Sequence, residues 1–111
     1  MLNKVQILEG LRKAVELRGE DYVDPNSEER VSGCLYVNDR DTEPTPGCIV
    51  GTAYYVLTGE LLGYEYEYTA ASDPEFDDIL DEEAKRVAAA AQKVQDEGGT
   101  WGQALREAES I

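Results

Sequence analysis

The chain has 111 residues, enough for one domain with one modest core, and its 41% hydrophobic content falls in periodic runs that argue against disorder. Its net charge is −14, and twelve acids with no base lie between residues 41 and 84. That field repels phosphate, so neither direct nucleic-acid binding nor an anionic membrane is expected. No apolar run approaches the roughly 18 residues of a membrane span, and the start lacks the basic-then-apolar plan of a signal peptide, so the expected compartment is the cytoplasm.

In chain order, Asn3 with Gln6 makes a capping box, and Val5, Leu8, Leu11 and Val15 then recur at helical spacing, with Leu17 near the end. Glu9 and Lys13 can pair across one turn, and Gly19 offers a left-handed C-terminal cap. Tyr22 and Val23 read as extended because Asp24 precedes Pro25. Residues 31–37, VSGCLYV, are the best strand, closed by the polar loop NDRDTEPTPG.

CIVGTAYYVLTG suits a strand by its β-branched content. Thr45 as cap, Pro46 at the first position and Gly59 as stop favour instead a nearly apolar helix, central to the core. Residues 64–68, YEYEY, alternate with period two. They predict a short strand or extended arm beside residues 31–37, with three tyrosines on one face and two glutamates on the other.

Asp73-Pro74 marks a helix start, and the acids after it favour the positive end of that helix. Phe76, Ile79 and Leu80 should face inward. A long helix from near Asp81 to Glu97 would bury Ala84, Val87, Ala88, Ala91 and Val94 or Gln95, and stop at Gly98-Gly99. Thr100 with Gln103 boxes a last short helix, with Trp101, Leu105 and Ala108 on one face.

These elements predict one α+β domain over residues 1–111, small and mainly helical, with about four helices around a short β-hairpin or mini-sheet. The expected core is Leu8, Leu11, Val15, Cys34, Tyr36, Cys48, Ile49, Val56, Val87, Ala91, Trp101 and Leu105.

Histidine is absent, which removes Ser-His-Asp and Cys-His catalysis and every histidine metal site. Cys34 and Cys48 are not a C-x-x-C pair. They read first as buried thiols where the strand meets the second helix; a bridge, a metal shared between chains and a nucleophile are the other readings. GCIVGTAYY has no phosphate-cradle spacing, and DRDTEPTPG lacks the central glycine and closing glutamate of a calcium loop. Among 24 acids no catalytic pair can be singled out, because such a pair needs unequal burial. The expectation is no cofactor, no metal and no enzymatic activity.

Seven of the nine aromatic residues are tyrosine, which combines large contact area with a polar tip. Interleaved with acids, they make Tyr64, Glu65, Tyr66, Glu67, Asp77, Asp78, Asp81 and Glu82 the candidate partner-binding residues. The alternative is the solvated side of a small domain that its charge keeps in solution.

The stretches RGEDYVDP, CLYVNDRD, PGCIVGTAYYVLTG and QDEGGTWGQAL resemble a group of small, uncharacterised proteins of actinobacteria and their bacteriophages. The shared order is R-G-x-D-Y-V, C-x-Y-V, P-x-C-[IL]-V-G and Q-D-x-G-x-T-W-G-x-A-L, covering Arg18 to Leu105. Similar proteins often carry His where this chain has Asn38 and Thr52, so the resemblance argues against an essential histidine. It implies a phage or actinobacterial accessory protein and no particular reaction.

The leading expectation is a phage-encoded, non-enzymatic protein that binds a host protein, basic or itself nucleic-acid-binding, through the acidic tyrosine-bearing middle. A nucleic-acid mimic, a homo-oligomeric structural phage protein and a small enzyme using a cysteine or carboxylates are the alternatives.

Overall fold

The computed structural model describes residues 1–25, 36–38, 44–67 and 69–111. The first helix, α1, is Lys4–Arg18. Its capping box forms as the sequence suggests: Asn3 Oδ1 accepts from the Gln6 N–H and Gln6 Oε1 from the Asn3 N–H, both at 2.9 Å.

The buried stripe of α1 is rotated from the expected one. Ile7, Gly10, Leu11, Ala14 and Val15 are buried, whereas Val5 is 74% and Leu17 62% exposed. Small residues explain the difference. A Cβ on Gly10 would come within 2.6 Å of a Leu57 side-chain carbon, so the second helix packs on a position that a count of large side chains overlooks. Gly19 follows with φ +97° but an extended ψ of 152°, so it turns the chain out of α1 without the expected left-handed cap.

β1 (Val37–Asn38) pairs antiparallel with β2 (Thr45–Pro46), in the register Val37↔Pro46 and Asn38↔Thr45. Of the expected strand over 31–37, residues 31–35 lie outside the described residues; Val37 is its only described residue in a strand. Since Thr45 and Pro46 are in β2, they do not start the next helix. That helix, α2, is Ile49–Thr58, with Cys48 at its N-cap and Gly59 closing it in the left-handed region. The helical reading of this apolar run holds, with a later start. Gly51 is required by contact: a Cβ there would lie 2.3 Å from the Tyr36 carbonyl oxygen, which also accepts the Gly47 N–H at 2.8 Å.

Tyr64–Tyr66 form one 3₁₀ turn, not a strand. The Tyr66 N–H donates to the Gly63 carbonyl and the Glu67 N–H to that of Tyr64, so the backbone is satisfied locally and needs no neighbouring strand. Alternation fails because one tyrosine anchors the turn: Tyr66 is buried and Tyr64 exposed, while Tyr68 lies outside the described residues. A second 3₁₀ segment, Pro74–Asp78, starts at Asp73-Pro74 as expected, with Phe76 buried.

α3 (Glu82–Asp96) starts at its cap Asp81, and α4 (Trp101–Glu109) starts at the Thr100–Gln103 box. Before α3, Leu2 lies beside Leu80 in a parallel bridge, its N–H donating to Ile79 O at 2.7 Å and its carbonyl accepting from the Asp81 N–H at 3.0 Å.

Four helices around a two-stranded antiparallel hairpin make this a small α+β fold. One buried cluster runs through it, with Trp101, Tyr36, Phe76, Ile7, Leu11 and Ile49 among its largest members. Of the expected core, Leu11, Val15, Tyr36, Cys48, Ile49, Val87, Ala91 and Trp101 are buried; Leu8, Val56 and Leu105 are half-buried, and Cys34 lies outside the described residues. No described helix is long and apolar enough to cross a membrane.

Candidate functional site

The acidic middle has little regular structure of its own and is held from beneath by α3. Gln92 is buried there, with its Oε1 accepting the Ala71 N–H at 2.8 Å and its Nε2 donating to the Tyr36 hydroxyl at 2.6 Å. The Tyr36 hydroxyl donates in turn to the Thr69 carbonyl at 2.6 Å. One turn on, Gln95 Oε1 accepts the Ile49 N–H at 2.7 Å, tying the start of α2 to α3. Buried polar groups need partners, and these bonds also fix where residues 69–71 run. Phe76 then packs between Tyr36 and Tyr66, with ring centroids 5.5 and 4.9 Å away.

Held this way, the eight expected partner-binding residues have unequal positions. Tyr64, 67% exposed, and Glu65 stand in solvent. Tyr66 is 8% exposed, so its ring cannot offer a contact face, and Glu67 is half-buried. Asp77 is exposed but bound to the Lys85 ammonium. Asp81 caps α3, its Oδ1 accepting the Ala84 N–H at 2.9 Å. Glu82 lies 3.8 Å from Lys85 Nζ, and Asp78 is exposed with no ion pair or hydrogen bond to the described residues.

Lys85 is the cation that sequence reasoning missed. It is the first base after the acidic run and sits on the inner stripe of α3, only 8% exposed. The hydrogen bond it donates to Asp77 raises its pKa, aided by the charges of Asp77, Glu82 and Asp73 against the opposing effect of burial. Asp73 also works locally, accepting the Ala70 N–H at 3.0 Å. Three acids of the run, Asp73, Asp77 and Asp81, therefore serve the fold.

Glu65, Glu75, Asp78 and Glu83 are left facing solvent without a cation among the described residues. Three of them surround one phenol. Burial raises the Tyr66 pKa, and the charges of Glu65, Asp78 and Glu75, with Tyr54, push it further in the same direction. A small cleft of about 170 Å³ opens beside Asp78, lined by Met1, Leu2, Tyr54, Thr58, Asp78 and Ile79. Glu75, Glu83 and Tyr54 were not among the expected contacts; Glu75 and Tyr54 lie within electrostatic reach of Tyr66, and Glu83 is exposed in the first turn of α3.

Residues of the stretches RGEDYVDP, PGCIVG and TWG converge elsewhere. Arg18 donates to the Tyr22 hydroxyl at 2.9 Å and to the Pro46 carbonyl at 2.7 Å, and its guanidinium lies 5.2 Å from the ring centres of both Tyr22 and Trp101. The Trp101 N–H donates to the Tyr22 carbonyl, and a Cβ on Gly102 would lie 2.9 Å from the Glu20 oxygen. RGEDYVDP, PGCIVG and TWG thus meet in one packed joint. Thr52, buried, donates to the Gly47 carbonyl at 3.2 Å, which gives that position a structural role without a histidine.

Among the described residues no group of three or more Cys, Asp or Glu is placed to hold a metal. Cys48 is buried at the N-cap of α2, and Cys34 lies outside the described residues. No protein-family model, curated protein or solved structure matches the chain.

Proposed function

We propose that the chain is a non-enzymatic accessory protein of an actinobacterial phage, which binds a basic host protein through the face formed by Tyr64, Glu65, Glu75, Asp78 and Glu83. The observation that carries this reading is a division of labour among the acids. Asp73, Asp77 and Asp81 are absorbed by local bonds, whereas Glu65, Glu75, Asp78 and Glu83 are exposed with no described cation to answer them, and the first three gather around Tyr66. Charge placed that way steers a positive partner and repels a phosphate-bearing one. Tyr64, exposed beside Glu65, adds an amphipathic ring suited to an interface. The phage and actinobacterial source rests on the resemblance alone.

The test is capture of partners from nuclease-treated actinobacterial lysate by the tagged protein, in parallel with a variant carrying Glu65→Gln, Glu75→Gln and Glu83→Gln. One basic protein retained by the wild type, released as salt rises and lost in the triple variant supports the reading. Equal retention by both proteins refutes it.

A further inference from the structure

We propose that α1 docks antiparallel on the α1 of a second copy of this chain, across a two-fold axis. Val5 of each copy enters the groove between α1 and α4 of the other, and Glu9 of each meets Arg12 of the other. This goes beyond the proposed function and uses none of the residues of the acidic face.

The apolar part of the contact comes from the two ends of α1. Near its start Val5 is 74% exposed, although it belongs to a helix with a well-filled buried stripe. Near its end a groove of about 460 Å³ is lined by Arg12, Val15, Glu16, Gly19, Glu20 and Leu105. Val15 and the half-buried Leu105 give it apolar lining, and Gly19 has no side chain to fill it. An antiparallel partner brings its Val5 end to that groove, and the two-fold axis makes every such contact twice.

Charge decides the occupant. Val5, Glu9, Arg12 and Glu16 are all exposed and follow one another four, three and four residues apart, so they form one outward stripe of α1. Reversed and laid on itself, that stripe is self-complementary. Glu9 falls opposite Arg12, with Lys13 beside it, and Glu16 falls opposite the turn that carries Val5 and the base Lys4. A parallel pairing would set Glu9 on Glu9 and Arg12 on Arg12, and like charges across an interface are costly.

Within one chain Arg12 bridges Glu109 at 3.0 Å and Lys13 bridges Glu9 at 3.4 Å. The side chains of both bases are more than half exposed, and such pairs hold weakly, so sharing them with a second copy costs little.

The whole molecule points to the same face. A net charge of −14 keeps copies apart wherever acids predominate. α1 has four bases and two acids, and α4 one base and two acids, so the two helices together carry +1. Two copies approach there with the least repulsion.

The test is light scattering of the full chain at ~150 mM NaCl over a dilution series spanning about a hundredfold. The mass should rise with concentration toward twice the 12.3 kDa of one chain. Val5→Asp should raise the dissociation constant roughly tenfold or more, whereas Leu17→Asp, exposed on α1 but off the stripe, should leave it unchanged. Glu9→Lys makes the stripe basic, and Arg12→Glu with Lys13→Glu makes it acidic. Each of these proteins alone should stay at the mass of one chain, and their equimolar mixture should recover the doubled mass. That rescue cannot come from a variant that has merely lost its fold.

A single-chain mass at every concentration of the wild type would overturn the assignment. So would a doubled mass that persists in Val5→Asp or in either charge variant alone, or a mixture that stays at the single-chain mass.

Discussion

Lys85 and Tyr66 carry the two perturbed titrations of the acidic face, and both act in the same pH range. Each has its folded pKa raised above the ordinary value, 10.5 for the lysine and 10.0 for the tyrosine. A raised pKa means the folded chain holds the proton more tightly than the unfolded one. The stabilisation is complete below the ordinary values and is lost as pH rises through the folded values. Thermal unfolding should therefore show the melting temperature falling more steeply above pH ~10 in the wild type than in Tyr66→Phe or Lys85→Met. Parallel profiles for all three proteins would refute this.

Gln92 makes a second prediction at the same scale. Gln92→Leu leaves the Ala71 N–H without its acceptor and the Tyr36 hydroxyl without its donor, in the interior. Urea unfolding should show a loss of about 1–3 kcal/mol. A loss within ~0.5 kcal/mol, typical of surface changes, would mean these bonds do not position the loop. Gln92 was legible only in part. A glutamine four residues after Ala88, on a stripe of alanines, signals a buried polar group, but its partners lie 21 and 56 residues away in sequence. Lys85 hid for the opposite reason: a base beside acids on a helix reads as a solvated pair until its burial is seen.

Single elements separate glycines that look alike in the sequence. At Gly51 an added Cβ would meet the Tyr36 backbone oxygen at 2.3 Å, which cannot move without shifting β1 and β2 against α2. At Gly63 the nearest atom is the carboxylate end of Glu65, 2.4 Å away, which can swing into solvent. Gly51→Ala should cost about 1–3 kcal/mol by overpacking and Gly63→Ala within ~0.5 kcal/mol, as chemical denaturation of both would read. Equal costs would mean the α2–hairpin contact is not tight.

The same scale shows where pattern reading succeeded. Helix starts announced by reciprocal side-chain bonds, at Asn3 and Thr100, are local chemistry and were fully legible. The start of α2 was misjudged because Thr45-Pro46 has the chemistry of a helix start but is recruited as a strand by Val37 and Asn38, a tertiary event. YEYEY was misjudged because period two is also produced by a turn that buries one tyrosine on Phe76.

For the molecule as a whole, the fold class was readable because it follows from counting amphipathic segments. The face proposed to bind was not, because acids that cap, pair or stand free are the same letters. Net charge of −14 on a fold with a Cα radius of gyration of 12.2 Å should repel itself at low salt. Raising NaCl from ~10 to ~150 mM shortens the screening length from about 30 to 8 Å and should raise the melting temperature. A fall over that range would mean attractive pairs such as Lys85–Asp77 outweigh the repulsion.

The bridge between Leu2 and Leu80 has a practical corollary for handling the protein. Because Leu2 is bonded on both sides, to Ile79 and Asp81, residue 1 is held at the rim of the Asp78 cleft. An affinity handle or fluorophore fused ahead of Met1 would begin at that rim and screen the surface under study. Ile111 is exposed, and its backbone carbonyl accepts from Lys4 Nζ at 2.8 Å at the opposite end of the chain's order. That bond seats the last residue against the side chain of Lys4 at the start of α1, so a handle appended after Ile111 also begins close to the amino-terminal end of the chain.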